Sequence, residues 1–188
     1  MTGIVLIGGK SQRFGSDKVV SPVGEKLLVE HVIDVIAPLF DEILLVGHPR
    51  EPLLGHKIVE DLIPGSGPIG GIFTALTHAR SPQCFVFAAD MPNLNQAFIS
   101  HMITLVEEYD IVVPVWSKGR EPLHAIYHHR LTGTIEHLLR RGERKIYPLI
   151  KEANTRMLDE ETIRTFGRPE EIFSNINTQH DLPGAAPR

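Results

Sequence analysis

Short apolar runs alternate with helical patterns through the first half of the chain, and this alternation limits the fold more than any other feature. Residues 3–7, 42–47 and 84–89 form mainly apolar runs of the length that strands buried on both faces have. Residues 26–40 and 68–80, which lie between these runs, place their apolar side chains at helical spacing. Strand–helix–strand order requires crossover connections and parallel strands. The sequence therefore predicts an α/β fold with a three-layer, doubly wound, mostly parallel sheet.

Weaker patterns extend the prediction to the rest of the chain. Residues 57–59 and 110–115 are predicted strands, and residues 96–108 a helix. A chain of 188 residues is within the range of one domain, so residues 1–188 are predicted to form one, with a disordered tail at 183–188. The elements expected in the second half are a strand at 122–129, helices at 131–140 and 147–152, and a strand or loop at 173–181.

Composition narrows the class of protein. The net charge of -4 is the opposite of the basic excess that a nucleic-acid surface carries, so no nucleic-acid partner is expected. Cys84 is the one cysteine, which excludes an intrachain disulfide, and it is expected to be a small core residue. The sequence has no basic leader and no apolar run of about 20 residues, which a membrane helix needs. We therefore expect a cytoplasmic protein without a membrane partner.

The segment after the first strand carries the strongest functional signal. Two glycines, Gly8 and Gly9, let the backbone turn sharply and bring N–H groups close to a phosphate chain. Arg13 can hold phosphate oxygens in a bidentate fork, and Lys18 adds a compact positive charge. The spacing matches neither the P-loop nor the dinucleotide fingerprint. We interpret the segment as a triphosphate cradle; the alternative is a glycine turn that carries solvated cations.

Two aspartates lie at the carboxyl ends of predicted strands, where ligands bind in sheets of this kind. Asp90 follows the run 84–89 and is the first choice for a metal, because Mg²⁺ prefers one or two carboxylates together with phosphate oxygens. Asp61 precedes a glycine–proline segment, 64–71, that leads into a helix whose N-terminus favours an anion or nucleotide. The alternatives are a turn-forming role for Asp90 and a helix-entry role for Asp61.

Three further groups of polar residues have more than one interpretation. A metal role for the histidines would need a further ligand pattern, which the sequence does not supply. The basic cluster is either a solvated helix end or a dock for a phosphate-bearing second substrate. The asparagines near the C-terminus are either turn formers or substrate contacts. The groups are His124, His128 and His129; Arg140, Arg141, Arg144 and Lys145; and Asn175 and Asn177.

Five sequence blocks appear in an order that is familiar as a set. They are L-x-G-G-x-S-x-R-x-G-x-D-K at 6–18, E-D followed by G-P-x-G-G at 60–71, A-A-D-M-P at 88–92, E-P-L-x-A-x-Y at 121–127 and N-I-N-T at 175–178. Together they resemble the bacterial molybdenum cofactor guanylyltransferases. The first block alone is shared with many sugar-nucleotide and cytidylyl transferases, whereas its combination with the last two blocks is much more specific. The resemblance implies a Rossmann-like nucleotide-diphospho-sugar transferase fold. It also implies transfer of GMP from GTP to (molybdenum-)molybdopterin, giving molybdopterin guanine dinucleotide and pyrophosphate.

The resemblance implies roles for individual residues as well. In the matching first block, the backbones of Leu6, Ile7 and Gly8 would contact GTP, and Gly9 belongs to the same nucleotide-binding turn. The implied catalytic residues are Arg13, which would face the β- and γ-phosphates, Lys18, which would bind phosphate, and Asp90, which would bind GTP and Mg²⁺; Asp61 would bind the nucleotide. The implied partners are GTP and molybdopterin as substrates, with transient contacts to proteins of molybdenum cofactor synthesis or to acceptor proteins.

Some positions depart from the family pattern. Ile7 stands where alanine is usual and Phe14 where methionine is usual, and Val46 or Gly47 falls where some members carry an asparagine that contacts the nucleotide. Cytidylyl transfer to molybdopterin and nucleotidyl transfer to a sugar phosphate therefore stay open, as does a nucleotide-binding regulatory protein without turnover. No Ser/His/Asp or Cys/His set stands out. This fits nucleotidyl transfer, because the second substrate supplies the attacking group.

Overall fold

The computed structural model of the protein describes residues 1–8, 21–48, 52–56 and 58–176. Within these ranges the strands are β1 (Thr2–Leu6), β2 (Pro22–Val23), β3 (Lys26–Leu27), β4 (Glu42–Gly47), β5 (Ile58–Glu60), β6 (Gln83–Ala88), β7 (Ile111–Trp116), β8 (Gly119–Arg120), β9 (His124–His128) and β10 (Thr155–Leu158). The helices are α1 (Leu28–Ile36), α2 (Gly67–His78), α3 (Gln96–Ile103), α4 (Thr132–Arg140), α5 (Tyr147–Glu152), α6 (Glu160–Arg164) and α7 (Pro169–Ile172).

The main sheet of the described residues has the strand order β10-β7-β9-β6-β1-β4-β5, and β8 pairs with β7. β1 lies between β4 and β6 and is parallel to both, and β5 is parallel to β4. β10 is parallel to β7, whereas β9 is antiparallel to both of its neighbours, β6 and β7. The predicted mostly parallel sheet is therefore confirmed, with β9 inserted antiparallel between β6 and β7 and the short β8 antiparallel to β7.

The insertion of β9 follows from the connection that precedes it. Residues 117–123 are too few for the crossover helix that a parallel neighbour needs, so the chain turns back and β9 runs antiparallel. The turn is held by β8 on β7 and by the Trp116 indole, whose Nε1 donates a hydrogen bond to the Glu121 carboxylate at 2.6 Å. The reversal brings residues 121–123 to the carboxyl end of β6, where Ala88 N donates to Leu123 O at 2.9 Å.

Helices cover both faces of the sheet, which confirms the three layers. One core lies between the sheet and α1, α3, α6 and α7, and the other between the sheet and α2, α4 and α5. Because successive side chains of a strand point to opposite faces, Val5 belongs to the first core and Ile4 to the second. Cys84 is fully buried in the second core, as predicted.

Helix α1 is shorter than predicted at both ends. Its expected first residues pair with Pro22–Val23 as β3, so the helix begins only at Leu28, where the Glu30 carboxylate accepts a hydrogen bond from Leu27 N. It ends at Ile36, and a short 3-10 turn that contains a proline follows. The apolar spacing continues across these boundaries, which is why the pattern alone overestimates the helix.

Two elements that the sequence patterns did not predict lie at the β10 edge of the sheet. In β10 only Leu158 is buried, while Arg156 and Met157 are exposed, so the strand has almost no apolar signature. Helix α6 follows it and is capped by Asp159, whose carboxylate accepts a hydrogen bond from Thr162 N at 2.9 Å. The segment predicted as a strand or loop from 173 is described as far as Ile176 and contains no strand in that part.

Candidate active site

The carboxyl ends of β1 and β6 bring Gly8 and Asp90 to one edge of the sheet. Leu6 is in register with Ala88 of the parallel strand β6, and Ala89 N donates a hydrogen bond to Leu6 O at 3.3 Å. Gly8 and Asp90 each follow two residues beyond this pair. The predicted proximity of the first glycine of the N-terminal loop and the aspartate after β6 is therefore present in the structure.

The ends of β1, β4 and β5 approach one another unusually closely. A Cβ added to Gly47 would lie 2.7 Å from Gly8 N, and one added to Gly8 would lie 3.4 Å from Gly47 Cα and 3.5 Å from Asp61 Oδ2. The asparagine that some family members carry would not fit at Gly47. Val46 is 1% exposed and belongs to the core of α2 and α4, so its side chain does not face the edge. Glycine at these strand ends keeps the backbone of β1 accessible and beside the Asp61 carboxylate.

Asp61 lies at this edge in a half-buried position. Burial raises the pKa of its carboxyl above the usual value; the neighbouring His48 acts in the opposite direction, and Glu60 adds to the rise. A partly buried carboxylate with an acidic neighbour is a favourable place for a cation, because a positive charge would offset the desolvation of the anion. Asp61 and the end of β1 thus form an acidic corner at the backbone of Gly8.

The loop between Asp61 and α2 is held by a small set of side-chain hydrogen bonds. Thr74 is fully buried, and its Oγ1 accepts a hydrogen bond from Leu62 N at 3.0 Å and donates to Gly70 O at 2.9 Å. Ser66 Oγ donates to Ile63 O at 2.5 Å and fills the space above Gly70, where an added Cβ would lie 1.6 Å from it. The second glycine of the G-P-x-G-G block is therefore explained by packing of the loop that carries Asp61.

Asp90 lies in the turn that follows β6, and the C-terminal segment packs against that turn. Ile176 N donates a hydrogen bond to Asp90 O at 3.0 Å, and Asn93 Nδ2 donates to Ser174 Oγ at 2.9 Å. Asn175 is exposed beside this contact. Asn175 and Ile176, the described part of the N-I-N-T block, therefore lie at the same edge as Asp90. The sequence did not indicate this, because Asn93 and Ser174 are 81 positions apart.

The remaining predicted residues of the N-terminal loop divide into two groups. Leu6 packs against α2, where a Cβ added to Gly71 would lie 3.2 Å from its side chain, and Ile7 is 2% exposed in the opposite core. The Ile7 side chain is therefore not available to a ligand, which suits the backbone contact that the resemblance implies for this residue. Gly9, Arg13 and Lys18, like Asn177, lie outside the described residues.

The three histidines do not gather at one point. His124 is fully buried, stacks on Phe98 with ring centroids 5.6 Å apart, and meets Phe173 edge-on; burial lowers its pKa to about 3. His129 is exposed, and His128 Nδ1 accepts a hydrogen bond from Arg130 N at the other end of β9. In the described part of the chain no group of three or more His, Cys, Asp or Glu residues could hold a metal ion.

The basic cluster around Gly142 is divided by the fold. Arg144 and Lys145 line a cavity of about 370 Å³, whereas Arg140 lies outside it and forms an ion pair with Glu136 at 2.6 Å. The cavity also contains residues that no sequence motif singled out as functional. Its full lining is Pro68, Arg120, Pro122, Arg144, Lys145, Ile146, Tyr147 and Ile150.

Residues 3–157 match the family model of the MobA-like NTP transferase domain. The chain belongs to this family. It is 36% identical over 190 residues to a probable molybdenum cofactor guanylyltransferase of Peptoclostridium acidaminophilum, with 96% of this chain and 86% of the relative covered. A protein of the same description from Pelotomaculum thermopropionicum is 35% identical, with 96% and 89% covered. Membership of this transferase family and these relatives confirm the resemblance and the prediction of a nucleotidyltransferase enzyme.

Solved structures agree on the architecture. The crystal structure of molybdopterin-guanine dinucleotide biosynthesis protein A from Archaeoglobus fulgidus superimposes with a TM-score of 0.81 at 28% identity, over 97% of this chain and 95% of that one. A Mycobacterium tuberculosis protein solved in complex with manganese has a TM-score of 0.64 at 20% identity, which shows a shared fold alone. The predicted nucleotidyltransferase fold is confirmed. No helix in the described ranges is long and apolar enough to cross a membrane.

Proposed function

We propose that this member of the MobA-like NTP transferase family transfers GMP from GTP to the phosphate of molybdopterin and releases pyrophosphate. The observation that carries the proposal is the convergence of Gly8, Asp61 and Asp90 at one sheet edge in a chain whose relatives are described as molybdenum cofactor guanylyltransferases. The product would be molybdopterin guanine dinucleotide.

In the proposed reaction an oxygen of the acceptor phosphate attacks the α-phosphorus of GTP. A new phosphorus–oxygen bond forms while the bond from the α-phosphorus to the oxygen bridging to the β-phosphate breaks. Pyrophosphate leaves with that electron pair. Because the acceptor supplies the nucleophile, the enzyme has two tasks, which are to hold the reactants in line and to offset the charge of the phosphates.

The N-terminal loop and the strand ends would divide the first task between them. Backbone N–H groups from Leu6 to Gly9 would bind the nucleotide, and Asp61 would bind its nucleoside. Arg13 and Lys18 would hold the phosphates. These two roles come from the family resemblance alone, because both residues lie outside the described residues.

The carboxylates at the edge fit a magnesium ion. Mg²⁺ is usually held by one or two protein carboxylates, with phosphate oxygens and waters as its other ligands. Asp90, with Asp61 at the same edge, would supply these one or two carboxylates. A cluster of three protein ligands, which the described residues do not contain, is not required. When bound at Asp90, the ion would supply positive charge to the phosphate oxygens. Asp61 would contribute a negative potential that favours this cation.

The proposal is tested first by nucleotide choice. We expect GTP with Mg²⁺ to raise the melting temperature of the purified protein more than CTP, UTP or ATP, because a ligand that binds the folded state stabilises it by mass action. Incubation with GTP and molybdopterin should then yield pyrophosphate and the guanine dinucleotide, measured by mass spectrometry. A clear preference for CTP would contradict the guanine assignment, and nucleotide binding without pyrophosphate release would indicate a regulatory protein.

A further inference from the structure

The cavity next to the basic cluster opens on the same edge of the sheet as Asp90. One wall is the start of α2 at Pro68, and another is Pro122 in the connection to β9. The residue after Pro122, Leu123, accepts the hydrogen bond from Ala88 N, two residues before Asp90. The volume of about 370 Å³ is within the range of small-molecule sites. We call this space the cationic cavity.

Three positive side chains line this space. Arg120, Arg144 and Lys145 line the cavity, and none of them forms an ion pair with a carboxylate of the described residues. Arg120 Nε is buried and has no hydrogen-bond acceptor in the described part of the chain. A buried N–H group without an acceptor costs free energy, which an anionic ligand would recover.

The local structure holds these cations toward the cavity. The Arg120 guanidinium lies over the ring of Tyr147, 4.7 Å from its centroid. The Glu143 carboxylate accepts hydrogen bonds from the backbone N–H groups of Arg144 and Lys145, both at 2.8 Å, and so shapes the loop that presents their side chains. That loop packs closely on the start of α2, as shown by Gly67, where an added Cβ would lie 3.0 Å from Arg144 O.

The start of α2 adds to the positive potential of the cavity. The helix has 12 residues, and no side chain caps its N-terminus with a hydrogen bond. Pro68 itself has no N–H, but the partial positive charge of the helix N-terminus as a whole favours an anion. Guanidinium, ammonium and helix N-terminus are together the groups that proteins use to bind phosphate, and here they surround one cavity.

We propose that the cationic cavity binds the phosphate monoester of the acceptor substrate, with Arg120, Arg144 and Lys145 as its ligands. This inference rests on the proposed function, in which the acceptor carries that phosphate to the nucleotide. GTP also carries phosphates, but the predicted triphosphate loop begins at Gly8, between β4 and β6. The cations of the cavity come instead from β8 and the α4–α5 loop, and its other walls from the start of α2, Pro122 and α5. The two reactants would meet at Asp90.

The first test separates the acceptor from the nucleotide by steady-state kinetics of the full-length enzyme. In Arg144→Ala and Lys145→Ala, we expect the KM for molybdopterin to rise about 10- to 100-fold, the loss that corresponds to one charge-assisted hydrogen bond. The KM for GTP should change less than about twofold. Arg140→Ala is the matched control, because it removes the same charge from the same basic segment outside the cavity. An equal rise in the KM for GTP, or a rise no larger than that of Arg140→Ala, would overturn the proposal.

A second test does not depend on turnover. With GTP and Mg²⁺ at saturation, inorganic phosphate should raise the melting temperature of the wild-type protein and of Arg140→Ala in a saturable way, but not that of the double variant Arg144→Ala/Lys145→Ala. No difference between these proteins would reject the cavity as a phosphate site. Failure of the wild-type enzyme to form the guanine dinucleotide, with this phosphate response intact, would instead reject the proposed function and leave the anion site in place.

Discussion

The carboxyl edge of the sheet has two regions of opposite character. The region that we propose for the nucleotide, formed by Gly8, Gly47, Asp61 and Asp90 and called the nucleotide half below, is crowded and acidic in the described residues. The cationic cavity is lined by three positive side chains. In the proposed function the acidic region accepts a polyphosphate together with Mg²⁺, whereas the cavity would take an anion directly. On this proposal, one edge holds two phosphate-bearing substrates apart because each has its own source of positive charge.

Removal of the Asp90 carboxylate should have the largest effect on this division. We expect Asp90→Ala to lower kcat for pyrophosphate release by about 10³-fold, because the nucleotide half would lose its principal cation ligand. Asp41→Ala is the control, since Asp41 is a fully exposed carboxylate before β4, at the opposite edge of the sheet. Full activity in purified Asp90→Ala would contradict the proposal that Asp90 holds the metal ion in the nucleotide half.

Crowding of the strand ends is tested by Gly47→Ala. The added Cβ would lie 2.7 Å from Gly8 N, so the ends of β1 and β4 must separate. We expect a loss of about 1–3 kcal/mol in the free energy of unfolding, measured by urea denaturation, together with weaker stabilisation by GTP. Gly133→Ala in α4 is the matched control; its Cβ meets nothing within 4 Å, and a gain of about 0.5–1 kcal/mol is expected. Equal responses of the two variants would show that the close approach has no energetic importance.

The aromatic layer beneath the edge should respond to pH through His124. Burial lowers the pKa of this imidazole to about 3, whereas the unfolded chain keeps the ordinary value of 6.5. Its contribution to stability is therefore complete above pH 6.5 and is lost as the pH falls toward 3, at up to about 1.4 kcal/mol per pH unit. Urea unfolding at pH 7.5 and pH 5 should show a drop about 2 kcal/mol larger in the wild type than in His124→Phe.

The exposed His137 in α4 provides the comparison for that measurement. His137→Gln should keep the pH dependence of the wild type. If His124→Phe keeps it as well, the buried imidazole is not the group whose protonation destabilises the protein at low pH.

The smallest expected change in stability comes from Asp61→Asn. Burial raises the pKa of this carboxyl, so the folded state disfavours its ionised form. The free energy of unfolding therefore decreases as the pH rises through that raised pKa. At pH 7 the neutral amide should therefore raise the free energy of unfolding slightly, by about 0.5 kcal/mol. The KM for GTP should rise about tenfold, through loss of one hydrogen bond to a charged group. Lower stability together with an unchanged KM would contradict the assignment of Asp61 to the nucleotide half.

The nucleotide half was largely predictable from the sequence, and the cationic cavity was not. β1 and β6 are continuous apolar runs, and the rule that ligands bind at the carboxyl ends of parallel strands then places Gly8 and Asp90 together. Arg120 and Tyr147 have no such guide, because their contact depends on how β8 and α5 pack. The basic cluster was visible in the sequence, but only the fold separates Arg144, which lines the cavity, from Arg140, which does not.

The same limit applies to β10 and to His124. β10 pairs through its backbone while two of its side chains stay exposed, so its sequence has little apolar pattern to recognise. His124 has the same side chain whether it binds a metal or lies among phenylalanines, and only its neighbours in space decide between the two. Patterns of single elements therefore predict layers and strand ends, whereas contacts between distant elements require the structure.

A crystal structure of the protein with GTP and Mg²⁺ would show directly whether the two substrates have separate sites. We expect the triphosphate between the backbone at Gly8 and the turn at Asp90, with the ion on the Asp90 carboxylate and no nucleotide in the cationic cavity. A triphosphate bound to Arg120, Arg144 and Lys145, with Asp90 out of contact, would contradict this expectation.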